Sequence, residues 1–423
     1  MTVSGPWGDA PPRIHAVKFD DNPDDLEKVV LNHGAISVLT VGFYRFWMKT
    51  WLRKLIWSKI SVDGDALEYT GTAVELLLGT LIAVIILGGY LMCFNLAISV
   101  GGLAFWQSGA YNVSLVLSFI ASLPLLQFAI YGARRYRLLR TRWRGIRFGM
   151  DGSAFRFVGI WVGWATITLI TLGLAYPWLR RARERYMTEH MMFGDTRFGF
   201  EANAKTLMSD YLPFWFAGVA PLFVISLGMT SQVIFGSFSM GAWGLLIPVY
   251  LYVVFWLYCR YRAAEYQAIF EARTLREVRT RCAFEADGLI NPAWAYVGRS
   301  IIPSTIPVGL VISVLTAAAI YLAALNGGGD ASFTWSLDNV IFSNYEGIVA
   351  KTFLIAAFWI NCGLTILLLL WLWTVVYYRR FLKYLCASMT VSGLESLSGV
   401  RQRTTDDQID SEGFADALDV GGL

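Results

Sequence analysis

Residues Ala73 to Ile98 run for 26 positions with one charged side chain, Glu75 near the start. A stretch that long and apolar satisfies its own backbone as a helix, and about 20 such residues cross a hydrocarbon core roughly 30 Å thick. Comparable runs follow at 113–132, 212–229, 241–259, 308–325 and 352–376. Only 16% of the chain is charged and its mean hydropathy is +0.50, whereas soluble domains carry about a quarter charged residues. The pattern predicts an α-helical polytopic membrane protein with about six transmembrane helices and two or three re-entrant or interfacial segments.

The net charge of +4 says less than its placement. Arg134, Arg135, Arg137, Arg140, Arg142, Arg144 and Arg147 follow the second run directly, and Arg180, Arg181, Arg183 and Arg185 form a second cluster. The loops between paired runs hold no Lys or Arg before Lys351. The excess of basic residues on one side orients the chain with both termini in the cytoplasm.

A second pattern overlays the first. Thr40 stands two residues before Gly42 and Thr171 two before Gly173; Trp47 and Trp178 follow those glycines by five. Each copy continues as a basic helix and ends on an Asp/Gly turn, Asp63-Gly64 or Gly194-Asp195, between alternating segments that read as small cytoplasmic hairpins. Recurrence at this scale predicts about three degenerate repeats. A cytoplasmic arm (1–30) precedes unit 1 (31–155), which holds a short segment at 31–46, a hairpin at 59–71, spans at 73–98 and 113–132, and a basic helix and hairpin at 134–157. Unit 2 (156–290) holds a segment at 157–178, a basic stretch and hairpin at 179–202, spans at 212–229 and 241–259, and a charged helix and hairpin at 260–290. Met150-Asp151-Gly152 and Asp287-Gly288 supply the turns of the 134–157 and 260–290 hairpins. Unit 3 (291–398) is degenerate, with spans at 308–325 and 352–376, and the acidic tail 399–423 is expected to be disordered. Segment 31–46 is too short to cross, and 157–178 is basic at both flanks, so both are expected to turn back to the cytoplasm.

The stretch TLGLAYPWLRRARERYMTEHMMFGDTRFGF, with Thr171, Leu172, Gly173, Tyr176, Trp178, Arg180, Arg181, Arg185, Tyr186, Gly194, Asp195 and Thr196 in its pattern, resembles the signature of the YjgN-like family of bacterial inner-membrane proteins. One extra residue separates Gly173 from Tyr176. The resemblance covers most of residues 31 to 290 and implies an inner-membrane location; it implies no activity.

The arginines at 134, 135, 137, 140, 142, 144, 180, 181 and 183, interleaved with Trp and Tyr, are candidates for anionic lipid headgroups. Setting topology is their plainer role. The polar groups in or near spans are His33, Glu75, Asn95, Lys351 and Asn361; such groups mark functional sites by default, although Glu75 and Lys351 sit close enough to helix ends to snorkel. No metal-ligand spacing, cofactor motif or catalytic motif is present, so neither metal nor cofactor nor enzymatic activity is expected. Half-entering and kinked segments fit a transporter or channel-like protein for a small molecule or lipid. The alternative is a scaffold or accessory subunit presenting its hairpins to a protein partner or to a second copy. Basic residues abutting a membrane speak against nucleic acid.

Overall fold

The computed structural model describes residues 13–105, 110–202, 204–230, 240–300, 363 and 365–402. The chain forms two compact units. One comprises Met1–Asp21, Lys49–Ile290 and Phe381–Leu423; the other comprises Asn22–Met48 and Asn291–Arg380.

The larger unit is organised by a sheet. Its strands are β1 (Ile14–Phe19), β2 (Ile60–Val62), β3 (Asp65–Tyr69), β4 (Thr141–Trp143), β5 (Ile146–Met150), β6 (Met191–Phe193), β7 (Thr196–Arg197), β8 (Gly199–Phe200), β9 (Arg273–Leu275), β10 (Val278–Cys282) and β11 (Met389–Ser392). Two-residue turns make the hairpins: Asp63-Gly64 and Arg144-Gly145 hold both residues at positive φ, as the tightest turns require, and Arg276 does so at the β9–β10 turn. All eleven strands join one sheet in the order β7-β6-β5-β4-β3-β2-β1-β11-β10-β9-β8. Its two outer strands, β7 and β8, are separated in the chain by Phe198 alone and pair with β6 and β9 respectively. The sheet therefore wraps into a ring that leaves no long free edge. Val17, Trp143, Phe193, Leu275, Val278 and Val391 fill its interior, together with Leu394 and Leu397 from a 3₁₀ segment (Leu394–Gly399) that follows β11 and Val400 directly after it.

Helices leave the ring at the end opposite the hairpin turns. They are α3 (Ala73–Phe105) and α4 (Ala110–Leu139), α5 (Ala154–Ile170) and α6 (Tyr176–Glu189), and α7 (Ala204–Thr230) and α8 (Met240–Glu271). Each pair sits between successive hairpins. Asn95 and Ser118 tie α3 to α4, the hydroxyl donating to the amide oxygen at 2.9 Å. In the smaller unit, α1 (Pro23–Leu39) starts on Asn22, whose side chain accepts from the Asp24 N–H, with Pro23 preset for the first turn. Gly34 and Gly363 are small for a reason: a Cβ on either would come within 2.6 Å of Leu367 or Val38, so α1 and the helical segment around 363–378 approach closely.

The chain reverses at two comparable places. After α1, Thr40 Oγ1 donates to Ile36 O and accepts from Tyr44 N–H, with Val41 and Gly42 at φ 51° and 84°. After α5, Thr171 Oγ1 donates to Ile167 O and accepts from Ala175 N–H, with Leu172 and Gly173 at 50° and 93°. Left-handed backbone costs a non-glycine residue about 1–2 kcal/mol, and the threonine hydroxyl offsets part of it by bonding both sides of the turn. Thr171→Val removes those bonds at nearly constant shape and is expected to cost about 1 kcal/mol, read as a lowered melting temperature in detergent.

The fold class differs from the six-span expectation. Among the described residues three helices are long and apolar enough to cross a membrane, Ala73–Ala97, Leu117–Leu139 and Thr365–Ala387, and the hairpins form one sheet instead of separate units. Hairpin turns are written locally, whereas pairing between hairpins, such as Met150 with Met191 or Tyr69 with Thr141, is not. The expected spans 212–229 and 241–259 fall on α7 and α8, which carry Lys205, Asp210, Arg260 and Glu265 as well as Pro213, Pro221 and Pro248. Span 308–325 and residues 352–362 of span 352–376 lie outside the described residues, as does most of the acidic tail. The 1–30 arm contributes β1 and the start of α1. The charged helix expected from 260 ends at Glu271, and its hairpin turns at Arg276-Glu277; Asp287-Gly288 opens a helix instead. Likewise Arg144-Gly145 makes the β4–β5 turn, and Asp151-Gly152 links β5 to α5. Asp-Gly marks a turn wherever backbone must bend, whether or not strands follow.

Candidate functional site

Where α4, α6, α8 and β9 meet at the helix end of the ring, the arginines of two clusters converge on two acids. Arg180 and Glu184 are four residues apart and share a face of α6. Glu184, 4% exposed, accepts from Arg134 of α4 at 2.9 Å, Arg180 at 3.2 Å and Arg273 of β9 at 3.4 Å. Glu265 of α8, 1% exposed, accepts from Arg180 and from Arg262 one turn before it. Arg183, half-buried on α6, has no hydrogen bond or ion pair among the described residues, and its Nε is shut off from solvent without an acceptor, as is Nε of Arg273.

Four guanidiniums thus share two carboxylates, with Arg183 beside them unpaired, and the electrostatics register the surplus. Burial alone would raise the Glu184 carboxyl; Arg134, Arg180, Arg273 and Arg183 outweigh it and hold the group far below the usual carboxylate range. Burial, with repulsion from Arg180, lowers Arg183. Burial and Arg134 push Arg273 down to about 10. All remain cationic at neutral pH but repel one another. A planar guanidinium with free N–H groups donates to phosphate or carboxylate oxygens in pairs, so the arrangement is suited to holding an anion.

The other sequence candidates are dispersed. Arg140 pairs with Glu75 at 3.1 Å, and Glu75 also accepts from the Tyr136 hydroxyl; this acid anchors the start of α3 to the end of α4. Arg181 donates to the Ala202 carbonyl. Arg135 and Arg142 keep a buried Nε without an acceptor; Arg137 lies in the last turn of α4. Arg142 and Arg144 lie on the β4–β5 hairpin, away from the helix end, and Arg144 binds Asp63 at 2.7 Å while covering the Trp143 ring. His33 meets the Tyr44 hydroxyl at 3.1 Å, Trp47 stacks on Tyr44 and Tyr176 on Tyr211, and Trp178 continues the first turn of α6. Lys351 and Asn361 lie outside the described residues. Sequence reasoning missed Glu184, Arg262, Glu265 and Arg273. The lone acid in RRARER, four residues after Arg180, was the available signal for the first; the others join only through the fold.

A second feature sits at the turn end of the ring. A cleft of about 430 Å³ has an apolar floor of Trp143, Phe193 and Leu397 and a polar rim of Arg13, His15 and Glu395. His15 Nδ1 lies 2.7 Å from Asp63, whose carboxyl is lowered chiefly by its hydrogen bond from Arg144.

The chain belongs to the family described as bacterial protein of unknown function (DUF898), whose family model matches residues 15–417. No curated protein and no solved structure matches it.

Proposed function

We propose that the protein is a multi-pass, non-enzymatic inner-membrane protein with both termini cytoplasmic, which binds anionic lipid headgroups at the arginine cluster of α4, α6 and β9. The observation that carries this reading is Arg183: a half-buried guanidinium without a partner, beside three other arginines that already saturate Glu184. Leaving such a group unpaired is unfavourable, and a headgroup phosphate would satisfy it at the level where α4, a candidate span, meets the ring. The two matching reversals support reading the chain as degenerate repeats around this junction.

Lipid or small-molecule transport is the finer form of the proposal. Because side chains fill the ring, a substrate path would run beside the helices and not through the sheet. The scaffold alternative draws on the cleft at the turn end, which could receive a segment of a protein partner or of a second copy; the ring offers it only the short edges of β7 and β8 to extend.

The test measures phosphatidylglycerol binding by the purified full-length protein in neutral detergent, with phosphatidylcholine as reference and inorganic phosphate as competitor. Arg183→Gln should fold normally, having no native partner to lose, and should weaken phosphatidylglycerol binding about tenfold or more, since a charge-assisted hydrogen bond contributes about 1.5–3 kcal/mol. Competition by phosphate alone would indicate a free-anion site. Equal binding of the two lipids, or binding indifferent to Arg183→Gln, would remove the lipid reading.

A further inference from the structure

We infer that the reversal between α5 and α6 is a wedge that enters the hydrocarbon of one bilayer leaflet, with Leu172 at its tip against acyl chains, and that Val41 leads a second wedge of the same build between α1 and the helix that follows it, α2 (Arg45–Lys59). The occupant here is lipid tail, so a failure of headgroup binding at the arginine cluster would leave the inference standing, although the Glu184–Arg134 pair serves below as its depth mark.

The first observation is where the chain accepts backbone strain. Among the described residues five non-glycine residues have positive φ: Val41, Asp63, Arg144, Leu172 and Arg276. Asp63, Arg144 and Arg276 occupy hairpin turns of the ring and are polar, as water-facing turns ordinarily are. The other two are apolar, and a β-branched residue at positive φ is a genuine outlier. Yet neither is buried as recompense, for Val41 is 94% exposed and Leu172 68%. Leu169 and Ile170 stand exposed beside Leu172, as do Leu39 and Phe43 beside Val41. Asn or Gly would hold either turn more cheaply, so an apolar side chain at the outermost point of each reversal is explained by what it touches.

The second observation is how the α5–α6 turn satisfies its carbonyls. Thr168 O accepts from Gly173 N–H, and Thr171 O from Leu174 N–H. Gly173 O accepts from the Tyr211 hydroxyl at 2.7 Å, and Leu172 O from the Trp215 indole at 2.9 Å, both reaching over from α7. A turn in water has no need of side-chain donors for its outermost carbonyls. A turn in hydrocarbon does, because irregular backbone survives there only when protein covers its polar groups.

Depth is the third. The 17 residues of α5 reach about 25 Å, short of a full crossing. On the return helix, Tyr176 lies eight residues before Glu184, so the tip stands about 12 Å beyond the Glu184–Arg134 ion pair, less than half of a hydrocarbon core. Along this path α5 packs Phe155, Phe157 and Val158 against Phe128 and Tyr131 of α4, within the candidate span Leu117–Leu139. A helix lying against that span shares its apolar layer.

The experiment places the photo-crosslinker p-benzoylphenylalanine at position 172, at position 41 and, as a control, at Glu277 in the β9–β10 turn of the ring. The full-length protein is illuminated in nanodiscs of phosphatidylethanolamine and phosphatidylglycerol, and adducts are identified by mass spectrometry. Melting temperatures compared with the unsubstituted protein confirm that the exposed sites tolerate the probe. Lipid adducts at 172 and 41, with none above background at 277, are the expected result. Adducts to a second copy would mean that the tips are protein interfaces, and absence of any adduct would mean that they stand in water; either result overturns the inference. Lipid labelling at one tip alone overturns it for the other.

Discussion

Glu184→Gln is expected to destabilise the larger unit by about 3–5 kcal/mol, the cost of leaving a buried ionic network without its counter-charge. Arg134, Arg180 and Arg273 each donate to this carboxylate, and a neutral amide returns neither the charge nor the full set of acceptors. The loss should appear as a lowered melting temperature in detergent, and replacing Arg134 by Met in the same chain should recover part of it by reducing the surplus of like charge. The pH dependence has a definite sign. Because the folded-state pKa of Glu184 is depressed, its contribution is complete above the ordinary glutamate value of about 4.3 and is lost as pH falls below that value toward the folded pKa. The stability gap between wild type and Glu184→Gln should therefore hold from neutral pH to about 5 and narrow in stronger acid. A gap unchanged at pH 3 would show that Glu184 acts through shape and not through charge.

What could be read along the chain, and what could not, follows from the range over which each feature is encoded. The reversals at Thr40-Gly42 and Thr171-Gly173 are local: a hydroxyl four residues from two backbone partners, and a glycine where φ must be positive. Asp63-Gly64 is equally local, and Gly194-Asp195 carries the same signal in reverse order. Arg144 and Arg276 hid the true turns of two expected hairpins because arginine is an uncommon residue for left-handed backbone and both stood in basic runs that read as helix. The ring itself escaped because β1 pairs with β11 across almost the whole chain, and although Ser392-Gly393 signals a turn, nothing at Ile14–Phe19 or Met389–Ser392 names the distant partner. The candidate site divides the same way. Arginine density was visible, as was the Arg180–Glu184 spacing. Glu265 and Arg273 come from another helix pair and hairpin, so the sequence alone allowed all nine arginines to be weighed equally, and the fold separates Arg134, Arg180 and Arg183 from the rest.

The 3₁₀ segment after β11 makes the boldest stability forecast. Leu394, Leu397 and Val400 are all buried within the ring beside Val17, Trp143 and Phe193. The chain then stays attached: Asp195 N–H donates to Arg401 O at 3.1 Å and Arg147 N–H to the Gln402 side chain at 2.8 Å. Gly194 shows how closely this strap lies, since a Cβ there would come within 2.4 Å of Arg401 O. A chain ending after Gly393 loses three buried apolar side chains, each contributing about 1.5–3 kcal/mol, and so loses an amount comparable with the whole stability of a typical domain, about 5–15 kcal/mol. It is expected to lose the ring's cooperative melting transition. A chain ending after Gln402 keeps the segment and both strap bonds and drops only the acidic stretch beyond, and it should melt where the full chain does. If the two truncations melted alike, the 3₁₀ segment would be an ornament on a ring closed by its strands alone. If only the shorter chain fails, the ring depends on a plug supplied by residues that follow its last strand, and the fold is complete only when those residues are in place.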